Sequence, residues 1–351
     1  MIPVTKTPVS DLPQNARVLV VRLSALGDVL FALETVASLE HDRPDVTVDF
    51  LVEDRFRTML DGHPLLARVL TVPRKRRSRY PAALRALRRE EYDCLLDLSG
   101  LLKSALPVAF ARARLKVGMA PPASREGSHR VLDRVVPMPD PLPHRAERGL
   151  LLLRHLGLSG ERRPPVLPSP PSPPGFWRGH PRPRVVLHPG ASAFAAFKRW
   201  PVAHHAELAR RLTTAGVTVA VSHGPGEEGL ARQVLDAAPR AVGLDGKSLG
   251  LVGLAAVYAE ADCVVAADTG PLHIAAAAGA RVVALFGPKD PRLYGPRGDG
   301  HTVLFHDVPC RPCRRRRCAS PQCILGLSVD RVEAAVRATI GLAEPAAAAG
   351  S

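Results

Sequence analysis

The chain has 351 residues, 46% hydrophobic and 23% charged, a globular composition that excludes a disordered or fibrous protein. Forty-eight Lys and Arg against 33 Asp and Glu give a net charge of +15, which points to acidic partners: nucleic acid, an anionic membrane surface or a phosphorylated substrate. No uncharged apolar run reaches the roughly 18 residues of a membrane span, and the first residues lack the pattern of a secretory leader, so a cytoplasmic protein is expected.

Residues 1–16 read as an N-terminal extension and 17–158 as a first α/β domain. Within it "ARVLVVRL" is a buried strand, "DVLFALETVASLEHD" an amphipathic helix, "VTVDFLVE" a strand, "YPAALRALRREE" a helix and "YDCLLDLSG" a strand. The basic run "RKRRSRY" at Arg74–Tyr80 is either a solvated face or a contact for an acidic partner, and "RRRR" at Arg314–Arg317 poses the same choice. Residues 159–183 are too rich in proline for a helix or sheet interior and read as an extended linker.

The alternation then resumes over 184–342, a second α/β domain. "RVVLHPG" and "VTVAVSHG" are strands, "PVAHHAELARRLTTAG" and "GEEGLARQVLDAA" helices. The stretch "DTGPLHIAAAAGARVVALFGPKDP" places a polar loop between the strand "CVVAAD" and a helix over 271–278, with Pro271 suited to its first position and Gly279 to the residue past its end. The strand "RVVALFG" follows. A polar loop there, at the carboxyl end of a parallel strand and the N-terminus of a helix, suits an anion. Two such halves imply a ligand-binding cleft between them. Residues 343–351 read as a frayed tail.

Four groups of residues carry chemistry. Asp28 stands at the head of the first helix, as an N-cap carboxylate, a general base, or both. Lys198, near a helix start, is misplaced against the dipole unless an anion shares the site; the alternative is a surface Lys-Arg pair with Trp200 in the core. Glu227 and Glu228 follow a strand, placed to accept from ribose hydroxyls or to complement a helix dipole. His273, on the first turn of an Ala-rich helix, is either a packing residue or a ligand contact.

The motifs "RLSALGDVLFALETVASL", "DLSGLLKSAL", "LHPGASAFAAFKRWP" and "DTGPLHIAAAAGARVVALFGPKDP" occur in an order, over residues 17 to 300, that resembles the ADP-heptose:lipopolysaccharide heptosyltransferases, glycosyltransferase family 9. The resemblance implies a GT-B fold, two Rossmann-like domains facing each other across a cleft. It also implies inverting, metal-independent transfer of a heptose from ADP-heptose to the lipopolysaccharide inner core, by a cytoplasmic enzyme peripheral to the inner membrane. On it, Asp28 matches the catalytic base. Ser192, Lys198, Glu227 or Glu228, Asp268, Thr269, Gly270 and His273 match the donor site, while Lys103, Arg74, Arg76 and Arg77 are acceptor-side candidates. Pro271 departs from the Leu, Met or Ser common at that place, which stiffens the helix entrance.

Cys310, Cys313, Cys318 and Cys323 form a Cys-x2-Cys-x4-Cys-x4-Cys cluster that suits a structural zinc or iron; reduced thiols or disulfides are the alternatives. Cys94 and Cys263 lie in apolar strands and read as core. Together with the basic charge, the cluster supports a competing reading, a nucleic-acid-binding protein with a zinc-knuckle-like site. The scarcity of aromatic residues for base stacking, with four Tyr and two Trp, weighs against it, and no nucleic acid is expected as a partner.

Overall fold

The computed structural model describes residues 11–75, 77–170, 175–313, 315 and 318–343. Arg76, residues 1–10, 171–174 and 344–351, and all of the 314–317 run except Arg315 lie outside them. Two compact units divide the chain between Pro168 and Ser169.

In the first unit the elements are β1 (Arg17–Val21), α1 (Leu26–Asp42), β2 (Thr47–Glu53), β3 (Arg68–Val72), α2 (Tyr80–Arg88), β4 (Glu91–Asp97), α3 (Leu102–Phe110), β5 (Arg112–Met119), β6 (Arg134–Val136) and α4 (Arg145–His155). Its strands pair in parallel in the order β3-β2-β1-β4-β5-β6. The second unit comprises β7 (Arg184–His188), α5 (Val202–Thr214), β8 (Thr218–His223), α6 (Glu228–Ala237), β9 (Val242–Asp245), α7 (Gly246–Ala259), β10 (Cys263–Ala267), α8 (Gly270–Ala277), β11 (Val282–Phe286), α9 (Pro291–Tyr294), β12 (Thr302–Phe305), α10 (Gln322–Leu325) and α11 (Val329–Ile340). Its parallel order is β12-β11-β10-β7-β8-β9. Counted from its own first strand, that order is the same as in the first unit, and both are the Rossmann order.

The strands follow from their composition. β10 and β11, "CVVAA" and "VVALF", are buried along their whole length, as parallel strands covered by helices on both faces must be. Small residues let α8 lie close on this sheet, with Leu272, His273, Ile274 and Ala275 buried. Two expected boundaries move. α2 stops at Arg88 because Glu91 is the first ladder residue of β4, and α8 begins at Gly270, which puts Pro271 in its second position.

The Pro-rich stretch lacks regular structure over 161–170 but is tied to the first unit. Ser159 Oγ and Gly160 N donate to Asp42 at 2.6 and 3.1 Å, and Ser38 Oγ donates to the Glu161 carbonyl at 2.6 Å. In the second unit, buried Trp177 donates to the Val257 carbonyl at 2.9 Å. Among the described residues no helix is long and apolar enough to cross a membrane.

One core group makes stability depend on pH. His205 on α5 is 1% exposed, its ring edge-on to Trp200 at 4.9 Å. Burial, reinforced by His188 and His204, pushes its pKa down to about 3. The unfolded chain takes up this proton near the ordinary value of about 6.5, so the contribution is complete above that value and is lost as pH falls toward 3. Denaturant titrations should therefore show the second unit losing up to about 1.4 kcal/mol per pH unit on this account. His205→Leu should flatten the slope by one proton, and an unchanged slope would remove His205 as its source.

Candidate active site

In a Rossmann sheet, ligands bind beyond the carboxyl ends of the strands where the order reverses. In the first unit that place lies between β1 and β4, where Val21 pairs with Asp97 and Arg22 follows directly. Asp28 sits there, at the third position of α1 and not at its N-cap, which is Ala25. Its carboxylate accepts from the Ala25 backbone N–H at 3.3 Å, the reciprocal half of a capping box.

The stronger partners of Asp28 are two guanidinium groups. Arg22 Nη2 lies 2.6 Å from Oδ2, and Arg145 Nη1 donates to both carboxylate oxygens at 3.1 and 3.0 Å. Arg22 is 6% exposed and also donates to the Leu98 carbonyl. Arg145 is the first residue of α4, a place the helix dipole disfavours for a cation, and Asp28 compensates it. Gly149, one turn along α4, makes the approach feasible. A Cβ there would collide with Thr35 on α1, so the two helices can close and carry Arg145 over Asp28.

Burial alone would raise the Asp28 pKa, but the charges and hydrogen bonds of Arg22 and Arg145 outweigh it and hold the carboxyl well below the usual range. Neighbouring Asp97, 1% exposed, has the opposite balance. Burial raises its pKa despite donation from Ser99 N and Gly100 N and the nearby charge of Arg22.

Of the acceptor-side candidates, Lys103 on α3 reaches the loop before α1. Its Nζ donates to Ser24 Oγ, and to Glu53 Oε1 at 2.9 Å. Arg74 is exposed, with its backbone N–H on Asp54, and Arg77 opens a 3-10 turn. Arg76 lies outside the described residues.

In the second unit the reversal lies between β7 and β10, where His188 pairs with Ala266 and Asp268 follows two residues on. Lys198 does not begin a helix; it ends a 3-10 turn, Ala193–Lys198, that precedes α5. Its Nζ donates to Asp268 Oδ2 at 2.6 Å and to the Asp268 carbonyl at 3.0 Å. His273, on the first turn of α8, brings Nε2 to 3.5 Å from Asp268 Oδ1. Asp268 is 5% exposed. Burial pushes its pKa up, yet His273 and Lys198 prevail, and the carboxylate is held below its ordinary value. Thr269 caps α8 by position, and its Oγ1 donates to the Ala267 carbonyl at 3.2 Å. Gly270 opens the helix. The first-turn N–H groups of α8 therefore face the same loop as the Lys198 ammonium.

The two adjacent glutamates are not equivalent. Glu227 is buried, with Oε2 3.3 Å from His188 Nε2 and accepting from Gly224 N at 2.9 Å; burial raises its pKa, while His188 and Gly224 lower it by more. Glu228, the first residue of α6, is exposed. His188 is held in turn by Ser222 Oγ at 2.9 Å, which shares a hydrogen bond with Tyr258. Gly190 leaves room for Glu227, since a Cβ there would collide with its carboxylate. Gly190→Ala should therefore displace Glu227 from His188 and Gly224 and, if Glu227 is the ribose contact that the resemblance implies, weaken ADP binding by roughly tenfold or more. Calorimetry with ADP checks this, and unaltered affinity in the folded variant would mean that Glu227 is not that contact. Ser192 is exposed at the start of the 3-10 turn that leads to Lys198. Trp200, in the same motif, is core and donates to the Leu327 carbonyl at 2.8 Å.

The expected four-cysteine metal centre is not built. Cys310 and Cys318 are exposed, Cys313 is half-buried and Cys323 is buried on α10. Among the described residues no three His, Cys, Asp or Glu side chains are grouped to hold a metal ion. The segment is fastened by other means: Arg311 donates to the carbonyls of Gly287 and Lys289 at 2.7 and 3.1 Å, and Cys313 N donates to the Pro288 carbonyl at 2.7 Å. Cys323 packs beside Gly287.

Sequence reasoning passed over Arg22, Arg145 and His188 as site residues. Two signals were present: Arg22 and His188 end strands at a switch point, and Arg145 opposes a helix dipole.

Two Rossmann units in one chain, each with buried charges at its switch point, define an α/β protein of the GT-B class. The family model described as Glycosyltransferase family 9 (heptosyltransferase) matches residues 81–324. "Lipopolysaccharide heptosyltransferase 1" of Pseudomonas aeruginosa is 31% identical over 326 residues, 86% of this chain and 87% of the relative. The solved structure of Escherichia coli heptosyltransferase WaaC with ADP-2-deoxy-2-fluoro heptose is 26% identical, with a TM-score of 0.72 over 92% of this chain and 99% of its own. A family 9 glycosyl transferase from Veillonella parvula shares the fold at 18% identity, with a TM-score of 0.81 over 93% and 98%. The chain belongs to glycosyltransferase family 9, and it is a glycosyltransferase.

Proposed function

We propose that this enzyme moves a heptose from ADP-heptose to the lipopolysaccharide inner core, with inversion at the anomeric carbon and without a catalytic metal. The observation that carries the reading is the Lys198–Asp268–His273 group at the head of α8, a cation at the N-terminus of a helix. The Pseudomonas aeruginosa relative is named a lipopolysaccharide heptosyltransferase 1, and the WaaC structure holds an ADP-heptose analogue, which supports this donor and acceptor. With the family established, the nucleic-acid reading of the basic charge is set aside.

The roles follow from the chemistry. An acceptor hydroxyl attacks the anomeric carbon as the bond to the β-phosphate oxygen breaks, and its proton passes to the Asp28 carboxylate. Two arginines keep that carboxylate ionised at neutral pH. Lys198 and the first N–H groups of α8 take up the charge that develops on the departing ADP. Glu227, buried and ionised, accepts from the ribose hydroxyls; exposed Glu228 serves the α6 dipole. Thr269, Gly270, His273 and Ser192 complete the donor side. Lys103 and Arg74 are the acceptor-side cations, matched to the acceptor's phosphates on the cytoplasmic side of the inner membrane, and the resemblance alone assigns Arg76 and Arg77 to the same role.

Calorimetry with ADP, followed by a transfer assay in excess chelator, tests the reading. ADP should bind without added metal, and transfer should persist at an unchanged rate in the chelator. Loss of transfer that magnesium or manganese restores would overturn metal independence, and absence of ADP binding would overturn the donor assignment.

A further inference from the structure

α3 is apolar on both faces. Ser104, Ala105, Pro107 and Val108 are buried on its inner side. Leu102, Leu106 and Phe110 are 61%, 45% and 40% exposed on its outer side, where a spacing of four residues aligns them in one stripe. Ala109 is exposed on the same side. The only charged side chain of the helix, Lys103, turns to Ser24 and Glu53. Scattered surface apolar residues need no explanation, but a stripe left open along a whole helix does.

The surroundings of this stripe are strongly basic. Residues 74–130 hold fourteen Lys and Arg against five Asp and Glu, a local +9 of the chain's +15. α2 packs beside α3 and exposes Arg85, Arg88 and Arg89. The 3-10 turn Ser128–Val131 packs against α3 as well and exposes Arg130. Lys116 reaches the far end of the helix, its Nζ donating to the Ala109 carbonyl at 3.2 Å.

We propose that the outer face of α3 docks on an anionic lipid bilayer, with Leu102, Leu106 and Phe110 entering the acyl boundary and the flanking arginines and lysines at the head groups. An apolar stripe inside a basic field is what an interfacial helix presents to such a surface. Three side chains on a nine-residue helix are too few for a stable protein interface, which needs about 800 Å² per partner. α3 begins just past the carboxyl end of β4, so docking brings the β1/β4 switch point and Asp28 to the membrane. Docking by α3 rests on the inner-membrane placement proposed above and adds the surface that makes the contact; vesicle binding is read without ADP or transfer, so its failure is distinguishable from failure of the donor and acceptor assignments.

Co-sedimentation of the full chain with vesicles tests it, using phosphatidylcholine alone and phosphatidylcholine mixed with phosphatidylglycerol. The protein should bind the mixed vesicles, bind phosphatidylcholine weakly, and be released by salt. Leu106→Glu with Phe110→Glu should weaken partition by at least about tenfold at an unchanged melting temperature. Leu106→Ser with Phe110→Ser serves if the glutamates unfold the chain. Leu325→Ser, at an exposed apolar residue of the second unit, should change nothing. Undiminished binding by a folded α3 variant would overturn the proposal, as would equal binding to both vesicle types. Release by inorganic phosphate beyond its ionic strength would reassign the contact to a phosphate pocket. Lipid-free self-association abolished by the α3 variants would reassign the face to a second copy of the chain.

Discussion

Asp28→Asn should lower the transfer rate by roughly 10²–10⁴-fold while ADP affinity stays at the parent's value. The substitution keeps the shape of the side chain and an acceptor for the Ala25 N–H, but removes the carboxylate proposed to take the acceptor's proton. It also removes the charge that holds two guanidinium groups together, one of them 6% exposed, so the first unit should lose stability. Combining Asp28→Asn with Arg145→Gln relieves the excess positive charge. The double variant should melt nearer the parent and remain inactive, which separates a lost base from a lost fold. The native carboxyl titrates well below its ordinary range. Its stabilising contribution is therefore complete above the unfolded carboxylate value of about 3.9 and is lost only as pH falls through the lower folded value. Any fall in activity between neutrality and mild acid then belongs to another group. An Asp28→Asn enzyme that transfers at the parent rate would remove Asp28 as the base.

Lys198→Ala should act on donor affinity, rate and stability together. On the proposed mechanism the lost ammonium no longer offsets charge on the departing diphosphate, a loss of about 10²–10³-fold in kcat/KM. The partner left behind is Asp268, 5% exposed, whose shortest contact is the 2.6 Å pair with Lys198 and which then keeps, among the described residues, only His273 opposite its carboxylate. A buried carboxylate deprived of its cation typically costs about 3–5 kcal/mol. Lys198→Arg keeps the charge but not the compact ammonium, and should recover stability more fully than rate. Stopped-flow ADP binding, steady-state kinetics and a melting curve on the three proteins read these effects separately. If Lys198→Ala lowered stability alone and left kcat/KM intact, the lysine would be a structural tie.

The strands and helices that repeat a plain pattern were legible from residues alone: β1, α1, β2, β4, β7, α5, β8, α6 and the β10–α8–β11 unit. α3 was not, because "LLKSALPVAF" is apolar on both faces and gives no amphipathic period to separate it from the buried strand before it. Short β6, β9 and β12, of three or four residues, offer too few positions for a period to show. Around the site, sequence located Asp28, Lys198 and Asp268 but not what they touch. Arg145 is 117 residues from Asp28, and only the packing of α4 on α1 at Gly149 and Thr35 brings it there. Glu227 and Glu228 are alike in the sequence pattern; the structure buries the first, which precedes the first turn of α6, and exposes the second, and the proposed ribose contact follows that difference. The cysteine spacing predicted a metal centre because four thiols so close in sequence suit one ion; in the structure two of them are exposed and one is buried, and spacing does not specify which way each points.

The most direct measurement supplies purified enzyme with ADP-heptose and a panel of truncated lipopolysaccharide cores, then follows ADP release and the mass of the glycan. One heptose-deficient core should gain a single heptose with one ADP released per transfer, and the other cores should release ADP no faster than enzyme without acceptor. ADP release that no core accelerates, with every glycan mass unchanged, would contradict the proposed heptose transfer.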